Sequence, residues 1–356
     1  MVVKEEGETG RPGGGETANF QTPLQEPVQA TTREPLQTST QNRTLSVGQD
    51  GASGAKQKLP EGAVYDGRLT PADKVFIAYL LILAGLILLA IERIEHWAML
   101  LLLHALSLGF IVLLAKVIAP KLGNVGRFIR GWYAVPFIPT TFKELEYLIP
   151  RLHPRDFDWQ LAAIDYRVFG VHPTIWLERL HVPLLTEIFQ IVYATYYFYP
   201  VILGVVLWLR GDFERFHFWV FILMCGFYLS YLGYIAVPAI GPRFILADQQ
   251  SLPLSGVWLF DTIRGTLDRA EGITRDCFPS GHTEITLLVL FYAWKFHRRT
   301  FQWMWLPLFA IIVSTVYLRY HYVVDVVAGV VAALLVIAAA KPMYRWLGGG
   351  EIETTD

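Results

Sequence analysis

Five side chains in the last third of the chain are of the types that move phosphate and protons. His321 and Asp325 are four residues apart, so on a helix they share one face and can touch. A carboxylate beside one imidazole nitrogen fixes the tautomer and leaves the other nitrogen nucleophilic or basic. About forty residues earlier, His282 closes the stretch Cys277-Phe278-Pro279-Ser280-Gly281-His282. Proline and glycine make that stretch a tight turn. Ser280 is a good helix starter ahead of an apolar run, so the turn reads as a loop opening a helix. A helix start offers backbone N–H groups and a positive dipole end to an anion. Arg243 and Arg319 are permanently charged forks that fit phosphate oxygens. The set amounts to a nucleophile, its orienter, an acid and an electrostatic clamp, which is the equipment of covalent phosphoryl transfer.

The elements that must position these residues are membrane helices. Of 356 residues 53% are hydrophobic and only 17% charged, below the roughly 25% of soluble proteins, and the apolar residues fall in long runs. A net charge of −1 gives no bulk attraction to nucleic acid. Two cysteines, Cys225 in an apolar run and Cys277 in a loop, imply no disulfide framework. Apolar runs at 75–91 and 97–118 form a helical hairpin. Further helices are expected at 184–209, 216–240, 282–296, 304–318 and 322–340. Segment 128–149 carries Lys143, Glu144 and Glu146 and reads as amphipathic, interfacial or re-entrant. Residues 156–176 read as a short polar surface helix and loop. The first seventy residues are too polar for a signal peptide or a core, and a disordered tail is expected over 1–70. The remaining division is a hairpin and interfacial region over 71–183 and a catalytic core over 184–345.

Alternating helix direction brings three polar clusters to one membrane face: 238–244, 275–282 and 317–325. Arg210, Arg215, Lys295, Arg298, Arg299, Lys341 and Arg345 fall at the other face, which the positive-inside rule makes cytoplasmic. The basic residues at 116–130 break this alternation if 128–149 does not cross. None of Cys277, His282, His321 and Asp325 has the close spacing of a usual zinc site, so no metal is expected.

Pro279-Ser280-Gly281-His282 followed by His321-x-x-x-Asp325 resembles the paired motifs of the type 2 phosphatidic acid phosphatase (PAP2) superfamily of membrane lipid phosphatases and phosphotransferases. The resemblance implies an all-α membrane bundle with a six-helix core, here with extra N-terminal spans. It implies no cofactor or metal, and a phosphohistidine on His321 with Asp325 orienting it and His282 as acid. Ser280, Gly281, Arg243 and Arg319 would bind phosphate. Partners would be the bilayer, a lipid phosphate and an alcohol acceptor, with the site on the extracytoplasmic side of a plasma (inner) membrane. Two departures stand out. Ala236 occupies the place of a lysine usual in the hydrolases, and Ser314-Thr315 replaces a Ser-Arg pair. The Gly-Pro-Arg ending at Arg243, Asp165 to Gly170, and the aromatic run Tyr193 to Pro200 are more similar to the inositol phosphorylceramide and sphingomyelin synthase branch, which passes phospho-headgroups between lipids. A non-enzyme alternative is a transporter relaying protons through the same histidines and Asp325.

Overall fold

The computed structural model describes residues 67–272 and 275–353. The tail expected over 1–70 lies outside the described residues except for its last four. All regular structure among the described residues is helical. The first helix, α1 (Pro71–Leu89), starts on a capping box. Thr70 Oγ1 accepts from the Asp73 N–H at 3.3 Å, Asp73 Oδ2 accepts from the Thr70 N–H at 2.6 Å, and Pro71 takes the first position. It is followed by α2 (Trp97–Leu113), which runs on through a π-helical turn to Lys121, then α3 (Gly123–Trp132), α4 (Ala134–Leu152) and α5 (Asp158–Phe169). The rest are α6 (Pro183–Ala194), α7 (Phe198–Leu209), α8 (Phe213–Ala236), α9 (Phe260–Glu271), α10 (Gly281–Phe296), α11 (Arg298–Tyr317) and α12 (Val323–Trp346).

Among the described residues, six segments are long and apolar enough to cross a bilayer: α1, α2 with its extension, α6–α7 together, α8, α11 and α12. This is an integral membrane protein. Two more helices run the depth of the bundle. The lower end of α4 adjoins Tyr133, whose hydroxyl donates to Asp73 in the first turn of α1 at 2.7 Å. Near its other end, Tyr147 Oη accepts from the His96 N–H at the start of α2 at 3.1 Å. Helix α4 therefore runs alongside α1 through the depth of the bundle. Likewise α10 starts against the head of α12, where the Ser280 N–H donates to the Asp325 carbonyl at 3.0 Å. It ends with Phe296 under the Arg215 guanidinium of α8.

The segment expected to be interfacial, 128–149, lies largely in α4, which runs between the start of α1 and the start of α2. Of its charges, Glu144 turns inward to pair with His104 of α2 at 2.8 Å, while Lys143 and Glu146 stay exposed and lie 3.8 Å from each other. With α4 counted, helix direction alternates throughout. Lys116, Lys121, Arg127 and Arg130 then join Arg215, Lys295 and Arg345 at one end of the bundle, and the site segments gather at the other. Residues 156–176 do form a short helix on the site face, but two of its acids, Asp158 and Asp165, are buried.

Helix α10 is central, packed on α8, α11 and α12. Glycine permits a close backbone approach there: a Cβ at Gly329 of α12 would come within 2.5 Å of the Ser280 carbonyl oxygen. The N-terminal hairpin is keyed to the core by Asp73, which is fully buried and bound by both Arg130 Nη atoms and by Tyr133. Removing one partner of a buried pair leaves an uncompensated charge, at a cost of about 3–5 kcal/mol. Arg130→Met is therefore expected to lower the thermal unfolding midpoint in detergent sharply, whereas substitution of the exposed Lys121 leaves it unchanged.

Candidate active site

Three segments meet above α10: the turn 238–243 after α8, the loop 275–280 before α10, and the turn 319–322 between α11 and α12. Backbone bonds tie them together. The Cys277 N–H donates to the Ala239 carbonyl at 3.3 Å, and the Arg243 N–H to the Arg319 carbonyl at 3.1 Å. Arg319 is the one non-glycine residue with positive φ among those described, at 66°, a conformation costing roughly 1–2 kcal/mol. That turn aims the next residues into the site.

His321 Nδ1 lies 2.8 Å from the Cys277 carbonyl oxygen. A carbonyl only accepts, so the proton sits on Nδ1 and the lone pair of the neutral ring is on Nε2. Asp325 Oδ2 is 3.5 Å from the same Nδ1, the second rather than the first neighbour. The same oxygen accepts the Cys277 thiol at 2.9 Å and the Tyr322 N–H at 2.8 Å. Cys277 thus holds the nucleophile candidate with its carbonyl and the carboxylate with its thiol. Burial, then the neighbouring Asp325, push the thiol well above its ordinary value, so it stays protonated.

His282 enters from the first turn of α10. Its ring centre is 5.9 Å from that of His321. Tyr193 stacks on it at 4.3 Å and 20°, and Tyr196 covers it at 4.2 Å. Tyr193 Oη lies 3.4 Å from Nδ1, while Nε2 is buried without a hydrogen-bond partner. The stack continues through Tyr320, parallel to Tyr193 at 4.4 Å, to the Arg243 guanidinium 4.9 Å from the Tyr320 ring centre.

The structure brings together His321, Asp325, His282 and, through this stack, Arg243. Arg243 also pairs with Asp268 of α9 at 2.8 Å. Arg319 is held elsewhere: Glu178 at 2.9 Å, Gln250 at 2.6 Å and the Leu252 carbonyl at 2.8 Å occupy its Nη atoms. Ser280 caps α10 by accepting from the Thr283 N–H at 3.3 Å, and its own N–H goes to Asp325. Gly281 and His282 supply first-turn N–H groups for which the helix has no carbonyl.

A cavity of about 450 Å³ reaches His282 and Gly281 from below, between α4, α7 and α8. Its lining is mostly apolar and aromatic, and includes Phe142, Tyr196, Pro200 and Trp219. From Phe216 to Tyr234 of α8 it follows about 27 Å of helix. Asp276 lines the end near the histidines, and burial raises its carboxyl above the ordinary value.

A family profile described as the PAP2 superfamily matches residues 159–339. The chain belongs to the PAP2 superfamily. No curated protein matches it, and neither does any solved structure. A membrane phosphatase-type function follows from PAP2 membership and the spanning helices.

The PAP2 match starts at α5, and α5 holds the site in place. Asp158 accepts from the Ile240 and Gly241 N–H groups at 2.9 and 2.8 Å and from the Tyr322 hydroxyl at 3.0 Å. Asp165 accepts from the Val323 and Val324 N–H groups at 2.7 and 2.9 Å, at the head of α12. Burial raises both carboxyls and the N–H donors oppose it. Reading the sequence for chemistry missed Asp158, and Asp165 entered only as a family likeness. The available signal was their spacing of seven, two turns on one helix face, in an otherwise polar surface helix. A charge-assisted hydrogen bond contributes about 1.5–3 kcal/mol, so Asp165→Ala is expected to speed amide exchange at Val323 and Val324 roughly 10- to 100-fold. Hydrogen-exchange mass spectrometry of the α12 head, against an unchanged α8, checks this.

Proposed function

We propose that this PAP2 protein transfers or hydrolyses a phosphate ester on a lipid through a phosphohistidine on His321. The observation that carries the reading is the tautomer: with Nδ1–H committed to the Cys277 carbonyl, His321 presents an Nε2 lone pair. In the first step Nε2 bonds to phosphorus while the ester P–O bond breaks, and His282 gives a proton to the departing alcohol. In the second, His282 takes a proton from the acceptor, whose oxygen displaces Nε2. Asp325 balances the charge on the phosphorylated ring. Arg243 and the first-turn N–H groups of α10 stabilise the equatorial oxygens. Arg319 fits a holding role, fixing the strained turn before His321, better than a phosphate contact.

The cavity supports a lipid as the substrate. It is apolar, lies within the membrane-spanning helices, and ends on the residue that serves the alcohol oxygen. A lipid alcohol seated there places its hydroxyl where water would otherwise react. This favours the phospho-headgroup transferase reading of the inositol phosphorylceramide or sphingomyelin synthase type as the second possibility. The basic end of the bundle is assigned to the cytoplasm by the positive-inside rule, which puts the reaction on the extracytoplasmic side of a plasma (inner) membrane.

Incubation of the purified protein with a labelled lipid phosphate tests the proposal. Acid-labile, base-stable label is expected on the wild type and none on His321→Ala, while His282→Ala is expected to slow turnover about 10²–10⁴-fold. A new lipid formed with an added alcohol, without free phosphate, distinguishes transfer from hydrolysis. Full phosphate release by both histidine variants overturns the mechanism, and flux without any phosphoenzyme would favour a proton-coupled carrier.

A further inference from the structure

Sequence spacing gives no metal site, but the fold assembles one set of donors that the sequence separates by 44 and 48 positions. Cys277 Sγ, His321 Nδ1 and Asp325 Oδ2 form a triangle with edges of 2.9, 3.5 and 3.7 Å. A point equidistant from three such atoms lies about 2.0 Å from each, against zinc bonds of roughly 2.0–2.3 Å. All three residues are buried. A second observation points the same way: Asp325 is fully buried, yet its Oδ1 has no hydrogen-bond partner, so the carboxylate has acceptor capacity to spare.

We propose that Cys277, His321 and Asp325 bind a soft divalent ion, Zn²⁺ or Cd²⁺, and that this ion switches the site off. The thiol loses its proton to solvent and sulfur bonds to the metal. Nδ1 gives up its proton and its bond to the Cys277 carbonyl to become a ligand, and the ring stays neutral by carrying its proton on Nε2 instead. Asp325 keeps its charge. One proton is released per ion, and the cluster goes from a net −1 to zero, which suits a buried place. Thiolate and imidazole select Zn²⁺ and Cd²⁺ over Mg²⁺ and Ca²⁺. The inhibition rests on the phosphohistidine reading, because it arises from protonating Nε2, the atom that attacks phosphorus. The ion site itself does not rest on it.

Full-length protein in detergent is titrated with Cd²⁺ and followed by the ultraviolet thiolate-to-cadmium absorption, with Zn²⁺ and Mg²⁺ added separately to turnover assays. One Cd²⁺ per chain is expected to give the band. Cys225→Ala retains it, and Cys277→Ser and Cys277→Ala both lose it while still unfolding cooperatively. Loss of a ligand is expected to weaken metal affinity by more than about 100-fold, the most that losing a residue hydrogen-bonded to a ligand costs. Zn²⁺ is expected to abolish lipid phosphate turnover, EDTA to restore it, and Mg²⁺ to do neither. No band in the wild type, or a band that survives Cys277→Ser, overturns the site. A Cys277-dependent band in a protein with no phosphoenzyme keeps the site and removes the proposed function instead. The same band with turnover untouched by Zn²⁺ overturns the switch.

Discussion

Backbone N–H groups exposed where helices break must find acceptors in a place with little water, and that constraint shapes the whole site end. An unpaired buried N–H costs about 1–3 kcal/mol. The chain answers with carboxylates. Asp158 takes the N–H groups of 240 and 241, Asp165 those of 323 and 324, Asp325 that of 322, and Glu187 of α6 those of 257 through 260. Each acid lies on a helix, and Asp158, Asp165 and Glu187 reach segments 70 or more residues away in sequence. The loops are therefore placed by rigid elements and not by their own residues.

The same arrangement explains how a histidine on the first turn of α10 faces one in the turn before α12. Cys277 is tied to the first turn through its N–H, to His321 through its carbonyl and to Asp325 through its thiol. Aromatic stacking fixes His282 from the other side, with Tyr193 between it and Tyr320. Neither imidazole is left to rotate freely, so the gap between them has a set width before any ligand arrives.

Much of this was legible in the sequence. Apolar run lengths reveal most of the spans, and the motifs that contain residues 282, 321 and 325 point to the superfamily. Two things were hidden for physical reasons. Helix α4 looks interfacial because hydropathy counts Lys143, Glu144 and Glu146 as exposed to lipid. Only the fold shows His104 of α2 opposite Glu144 and the cavity beside Lys143. Arg319 reads as an anion contact because an arginine beside a catalytic-looking histidine has that chemistry; its partner Glu178 is 141 positions away, in a segment with no local signal.

The Asp73–Arg130 pair also has an order in time. The two residues are 57 positions apart, so a ribosome delivers the acid well before its base. During that interval the first hairpin holds a carboxylate that has no guanidinium to receive it, at a depth where the finished protein excludes water. The hairpin can settle against the rest only after the third crossing has begun. Until then the two early spans, apolar enough to sit in a bilayer by themselves, lack the contact that keys them to the core.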